Sequence, residues 1–273
     1  LTLRREHNAI KMADAVCVSS PTTRSDLIST HGDWTGRKIH VIENTFDQYS
    51  PPGSDSADRS KKCSRNTLIT ISYIGSPYSQ SLIEDKWYQK KPYQYFQYVP
   101  RKENWKYRSP YFIFKVFEKL YKQYPEYRGR VKIRFVGDKP PWWSQMLSAF
   151  DLADSIDHVG LKSKEDTIAI QNDSDFLLIT SSKVENGKDY SIAGKTFDYF
   201  SSRKRIIGFV TESDQRDILD ASGIALCLDP DDAEGSANRL FLLLSGELSL
   251  APHQSYIDQH LTSKKLDKLN NLL

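Results

Sequence analysis

Phe176-Leu177-Leu178-Ile179-Thr180 decides the fold, because it presents an unbroken apolar face. A strand half open to water alternates apolar and polar residues, whereas a strand of a parallel sheet covered on both faces does not. The neighbouring segments repeat one unit, a short β-branched or aromatic run followed by a helical pattern. Upstream, Ser163-Lys164-Glu165-Asp166 opens a helix through Ile170, with Asp166 in place of the usual Glu of a capping box. Before it come a strand over 156–159 that ends at Gly160, a helix over 143–150, and a strand over 131–136 that ends at Gly137. Further back, Ser109-Pro110 introduces a helix marked by Phe112, Phe114, Val116, Phe117, Leu120 and Tyr121, and a strand over 68–74 runs into Gly75. Downstream the same alternation gives helix 195–201, strand 206–210, helix 214–221, strand 224–228 and helix 233–244. Strand and helix repeated in this way predict a doubly wound parallel sheet.

The flanks differ. Short strands over 15–18 and 38–42 surround a helix near 22–29, and the last segment, about 256–273, reads as one amphipathic helix. Residues 49–66 are rich in Ser, Pro, Gly, Asp and Lys and have the composition of a linker or surface loop. Residues 80–107 are an insertion between the first strand of the series and its helix, where most connections have only a few residues. Trp87, Tyr88, Tyr93, Tyr95, Phe96, Tyr98, Trp105 and Tyr107 alternate there with Lys86, Lys90, Lys91, Arg101, Lys102 and Lys106. Its place at the carboxyl edge of a strand is where open α/β sheets bind ligands. It would stack sugar rings, touch a membrane peripherally, or bind single-stranded nucleic acid. The plain alternative is that it folds over the domain and buries its own aromatics.

Composition narrows the class. With 38% hydrophobic and 27% charged residues the chain is globular, neither disordered nor fibrous. No apolar run approaches the roughly 20 residues of a bilayer-crossing helix, and Arg4, Arg5 and Glu6 interrupt the start before the core of a signal peptide develops. The first residue is not Met, as expected of a piece of a longer protein. Cys17, Cys63 and Cys227 are scattered, so neither a disulfide framework nor a zinc site is supported, and a reducing, cytoplasmic setting is expected. Cys17 and Cys227 lie in apolar runs, where a thiol behaves as a small hydrophobe. A net charge of +3 is too small to point to nucleic acid as a partner.

A family resemblance rests on residues spread from about 9 to 245. Ala13-Asp14-Ala15-Val16-Cys17-Val18-Ser19, a helix, and Lys38-Ile39-His40-Val41-Ile42-Glu43-Asn44-Thr45-Phe46-Asp47 resemble the interdomain passage of family 4 glycosyltransferases, which have the GT-B fold; Thr45 takes the place of the usual Gly. Tyr73-Ile74-Gly75-Ser76, Phe135-Val136-Gly137-Asp138, His158-Val159-Gly160-Leu161, Gly194-Lys195-Thr196-Phe197-Asp198-Tyr199-Phe200 and Leu228-Asp229-Pro230-Asp231-Asp232 resemble later landmarks of that family, in its order. The resemblance implies that residues 1–48 close the acceptor domain, that 49–66 link, and that 67–250 form a Rossmann-like nucleotide-sugar domain carrying the 80–107 insertion. Residues 251–273 would then be the C-terminal helix, and most of the acceptor half would be absent. It also implies transfer of a sugar from a nucleotide donor to a glycan or lipid-linked acceptor, with retention of configuration. No cofactor and no obligatory metal would be needed, since the nucleotide-sugar is itself the substrate.

The chemistry explains the residue types. A diphosphate is met by backbone N–H groups at glycine turns and helix N-termini, and one or two cations neutralise charge on the leaving group. The donor-site set implied is Gly75, Ser76, Arg108, Gly137, Gly160, Leu161, Lys162, Gly194, Lys195 and Asp198. Lys195 is the first choice of cation and Arg108 the second. Asp198 stands where the family has a ribose-binding glutamate. Tyr190 falls where the family has a glutamate acting near the sugar, with Asp189 or Glu185 as substitutes. A first-turn lysine is often only solvated, and Gly75 and Gly160 also serve to end strands. Two other classes stay open: a binding module without turnover, which Tyr190 favours, and a sugar-nucleotide epimerase of the same fold.

Overall fold

All six strands expected of the series lie in one parallel sheet in the computed structural model of the protein, which describes residues 2–47, 68–77 and 102–272. They are β3 (Ile69–Ile74), β5 (Val131–Val136), β6 (Ile156–Gly160), β7 (Phe176–Thr180), β9 (Arg205–Phe209) and β10 (Ala225–Leu228). Preceding the series, β1 (Val16–Val18) and β2 (Ile39–Val41) form a separate parallel pair joined by α2 (Pro21–His31), behind α1 (Thr2–Met12).

The spatial order is β10-β9-β7-β3-β5-β6. The chain therefore starts at the centre with β3, walks outward to β6, crosses back to β7 and walks outward the other way. This is the order of a doubly wound nucleotide-binding sheet, and its switch point lies between β3 and β7. Every residue of β7 is buried, and strand alternation sends them to two cores. Phe176 and Leu178 pack with Ile71, Phe135 and Phe209 under α3 (Tyr111–Gln123), α4 (Trp143–Ser148) and α8 (Ala233–Ser245). Leu177 and Ile179 pack with Ile206 and Val210 under α6 (Lys195–Ser202) and α7 (Asp214–Ser222). Each such side chain contributes about 1.5–3 kcal/mol by leaving water.

Helix starts follow local chemistry. The Ser163 hydroxyl accepts from Asp166 N–H at 3.0 Å and opens α5 (Lys164–Asp173) as the capping pattern predicts. Ser213 caps α7 through Arg216 N–H at 3.1 Å, and Asp232 caps α8 through Gly235 N–H at 2.9 Å.

Three features differ from expectation. The C-terminal segment is two helices, α9 (Gln254–Asp258) and α10 (Thr262–Asn270). Helix geometry stops between them because the backbone turns aside to bond Phe46: Phe46 N–H donates to His260 O at 3.2 Å, and Thr262 N–H donates to Phe46 O at 3.0 Å. Phe46 itself is buried in the second core. Cys17 is exposed, since the short β1–β2 pair leaves that side uncovered, whereas Cys227 is buried. Finally, residues 103–104 (β4, Glu103–Asn104) pair antiparallel with β8 (Lys183–Val184), so the end of the insertion returns as a ribbon beside β7. The linker 49–66, Cys63 and most of the insertion, 80–101, lie outside the described residues. Among the described residues no helix is long and apolar enough to cross a membrane.

Candidate functional site

Three glycine turns form a shelf at the carboxyl ends of β3, β5 and β6. Gly75 N–H donates to Val136 O at 2.8 Å, and Gly137 N–H donates to Gly160 O at 3.0 Å. Gly137 has φ +146, and a Cβ there would lie 2.6 Å from Ser76 N and 2.7 Å from the Gly75 carbonyl carbon. Only glycine lets these two turns touch. Asp138 N–H then donates to Ser76 Oγ at 2.9 Å and ties the turns together.

The opposite wall comes from β7 and the loop that leads to α6. The Asp189 carboxylate is fully buried and folds inward. It accepts from Ser182 N–H at 3.0 Å, Ser182 Oγ–H at 2.9 Å and Ser191 N–H at 2.9 Å. Gln215 Oε1 accepts from Ala193 N–H at 2.8 Å and from Thr196 Oγ–H at 2.9 Å, which fixes the first turn of α6.

Two cations converge on the space between these walls. Lys195 Nζ lies 3.7 Å from the Tyr73 ring centroid, and a Cβ on Gly75 would stand 3.5 Å from it. Such a cation–π contact, half-buried here, contributes about 0.5–2 kcal/mol. Burial pushes the Tyr73 hydroxyl up, but the Lys195 charge and hydrogen bond, Thr180 and Arg108 outweigh it and hold it below the ordinary tyrosine range. Arg108 stacks on Trp105 at 4.9 Å and stands 3.8 Å from Asp189; its Nε is buried with no hydrogen-bond partner among the described residues. Tyr73, Ser76, Arg108, Thr180, Ser181, Ser191, Ala193 and Lys195 line a cavity of about 140 Å³ at the β3/β7 crossover. Two cations face it, and of the carboxylates beside it among the described residues Asp189 is already bonded by three donors and Asp138 accepts from Ser76 Oγ–H at 3.3 Å, so the hollow favours an anion with several oxygens.

The ribbon that delivers Arg108 is clamped from outside. Tyr107 O–H and Lys183 Nζ both donate to Asp231, each at 2.5 Å. Burial raises the Asp231 carboxyl, and the bonds to Lys183 and Tyr107 more than reverse this and hold it low.

Of the residues singled out in the sequence, Gly75, Ser76, Arg108, Gly137 and Lys195 come together here. Gly194 opens α6 beside them, with Asn44 Nδ2 3.9 Å from where its Cβ would be. Gly160, Leu161 and Lys162 share the same sheet edge two strands away, and Leu161 is 70% exposed. Asp198 lies one turn after Lys195, exposed; partial burial raises its carboxyl and the Lys164 charge opposes this. Glu185 is an exposed partner of Lys102 and does not line the cavity. Sequence reasoning missed Tyr73, Thr180, Ser181 and Ser191, which line the cavity, and Gln215, which fixes the helix start behind it. A larger hollow of about 300 Å³ beside α9 and α10 carries Lys264, Lys265 and Lys268. It is the lesser candidate, because Lys265 pairs with Glu43 and Lys268 donates to Val41 O, which commits both to holding the N-terminal unit.

No protein-family model matches the chain, and no curated protein matches it in sequence. Solved structures do. Over 99% of its length the chain is similar to Anabaena HepE, crystallised in complex with UDP and glucose, at 13% identity and a TM-score of 0.62. Over 98% it is similar to TarM, at 14% identity and a TM-score of 0.64. Over 95% it is similar to the lipopolysaccharide outer core galactosyltransferase WaaB, at 13% identity and a TM-score of 0.59. It spans 66%, 45% and 61% of those chains. At these identities the likeness shows the fold, a Rossmann-like arrangement of the GT-B glycosyltransferase kind.

Proposed function

We propose that this chain is the nucleotide-sugar half of a GT-B glycosyltransferase of the family 4 type. It would transfer a sugar from a nucleotide donor to a glycan or lipid-linked acceptor, with retention of configuration. The observation that carries this reading is the convergence of Lys195 and Arg108 on the Gly75-Ser76 turn at the sheet crossover. A diphosphate seated there takes the two cations and the backbone of the turn. The same groups stabilise it as it leaves, when its charge grows. Those cations do the neutralising that a metal would otherwise do. Farther along the same edge, Asp198 accepts from the ribose hydroxyls and the backbone at Gly160-Leu161-Lys162 meets the base. HepE, also crystallised in complex with UDP-glucose, is a neighbour in fold and supports a nucleotide-sugar as the ligand. The acceptor, and any peripheral contact of 80–107 with a membrane, belong to the part of the reading that needs the whole protein, in the cytoplasm.

One observation favours a binding module without turnover: Asp189 is buried and bonded inward, so it does not offer a carboxylate to the sugar ring. A crystal structure with UDP decides the site. Diphosphate density against Gly75-Ser76 and Lys195 supports the proposal; nucleotide at the amino edge of the sheet ends it. Sugar release from UDP-sugars by the full-length protein then separates the enzyme from the binding module.

A further inference from the structure

The first turn of α7 carries two buried polar side chains that do not line the cavity. Asp214 and Gln215 are each 1% exposed, and they reach in different directions. The Asp214 carboxylate accepts from Thr22 N–H at 2.9 Å and from the Thr22 hydroxyl at 2.7 Å, so the N-terminus of α2 is seated on it. It also holds Lys188 Nζ at 3.2 Å. Asp214 N–H donates to Asp189 O at 2.8 Å, and the Asp189 carboxylate faces Arg108. Gln215 Oε1 takes both donors at the start of α6, next to Lys195, while its Nε2 is buried with no partner among the described residues.

A buried carboxylate is tolerated only while it is fully paired, so Asp214 keeps its place when Thr22 and Lys188 keep theirs. Thr22 is on the N-terminal unit; Lys188 adjoins the residue that faces Arg108. We infer that the first turn of α7 is the element through which the N-terminal unit positions the two cations of the cavity. Asp214 carries the seating of α2 to Lys188 and Asp189, hence to Arg108. Gln215, on the same rigid turn, carries it to the helix start that bears Lys195. Both are positioning residues. Such coupling is reciprocal: an anion in the cavity also tightens the N-terminal unit. The inference rests on the donor-site reading only where a nucleotide is the probe.

Thr22→Val tests it, because it removes the hydroxyl bond and leaves the backbone bond, and Thr22→Ser retains both. The deciding measurement is hydrogen–deuterium exchange without ligand. Thr22→Val is expected to speed exchange at the amides of Ala193 and Thr196 by about three- to tenfold, the effect of one lost hydrogen bond, with Thr22→Ser at the wild-type rate and Leu177 and Leu178 unmoved. UDP affinity is expected to fall by a similar factor in Thr22→Val alone. Asp214→Asn, which weakens the hold on Lys188, is the second variant and is expected to speed the same amides. Faster exchange confined to residues 20–25, or a uniform rise that includes β7, overturns the inference. If the exchange pattern holds but wild-type protein does not bind UDP, the donor-site reading fails and the coupling stands.

Discussion

Lys195 of α6 stands 3.7 Å from the ring centroid of Tyr73 in β3, and the missing side chain of Gly75 leaves its ammonium room at the sheet crossover. Strand, turn and helix thus contribute one feature each to a single charge. Arg108, delivered by a ribbon from the far side of an insertion, supplies the second.

Replacing that charge gives the first prediction. Lys195→Ala is expected to weaken UDP binding by about 1.5–3 kcal/mol, as for a charge-assisted hydrogen bond, while uridine, which has no phosphate, binds as before. Calorimetric titration of both ligands measures this. A control lysine must carry no structural bond of its own, which excludes Lys204, whose ammonium caps the end of α5 at Asn172 O and Ser174 O. Lys119, exposed on α3, serves as the control. Equal losses in Lys195→Ala and Lys119→Ala would remove the cation from the site.

The second concerns the shelf. Gly137→Ala introduces a Cβ 2.6 Å from backbone at a φ of +146, and steric overlap together with strain is expected to cost about 2–4 kcal/mol. Gly160, at φ +72, has nothing within 4 Å of its Cβ position. Gly160→Ala therefore carries only the conformational cost, about 1–2 kcal/mol. Urea unfolding of the two variants ranks them; a Gly160 variant as unstable as the Gly137 variant would contradict the packing argument.

A third prediction concerns pH. His260 is 3% exposed, packs against Phe197, Phe200 and Tyr256, and has no hydrogen-bond partner on either ring nitrogen among the described residues. Burial, with Lys265 and Lys268 adding to it and Glu43 opposing, pushes the imidazole down to about 4 from 6.5. The unfolded chain then binds the proton first as pH falls. Stability is expected to be whole above pH 6.5 and to decline toward pH 4, by on the order of 3 kcal/mol in total. His260→Phe should flatten that stretch of the curve. Burial raises Glu43 and Asp214, but their partners outweigh it and hold both low, so their contributions decline as pH falls below their ordinary values of 4.5 and 3.8, and Glu43 overlaps only the acid end of that stretch. Thermal melts across pH 4–8 make the comparison, and an unchanged slope in His260→Phe would assign the decline to other groups.

How much of this was legible in the sequence follows from the range of each signal. The β7 run, the Ser163 cap and the glycine turns are local, and a buried parallel strand or a helix start leaves its mark within a few residues. The pairing of β4 with β8 joins residues about 80 apart in sequence and spans only two residues on each side, too short for any periodicity. The break between α9 and α10 was hidden because a helical pattern cannot show that Phe46, more than 200 residues earlier, takes the backbone. Lys195 was found from its place at a helix start. Its partner Tyr73 shows in sequence only as a residue of the strand that runs into Gly75, since a ring that packs and a ring that carries a cation look alike there. Asp189 was visible as a carboxylate, but its direction was not.

That direction supplies the last prediction. A carboxylate that acts on a bound sugar is exposed to the cavity, and its removal lowers activity while the fold stays as stable as before. Asp189 has the opposite setting: it is fully buried, accepts from two serine amides and one serine hydroxyl, and faces Arg108 at 3.8 Å. Asp189→Ala leaves three donors and a guanidinium without their acceptor inside the protein. The expected cost is about 3–5 kcal/mol of stability, the range for breaking a buried ionic pair, and loss of UDP affinity follows because Arg108 is no longer oriented. Glu185→Ala, which removes only an exposed partner of Lys102, should change stability by less than about 0.5 kcal/mol. Urea titration and calorimetry on the same preparations separate the cases. An Asp189→Ala protein that unfolds like wild type would mean the carboxylate is not part of the frame, and would return it to the residues that meet the sugar.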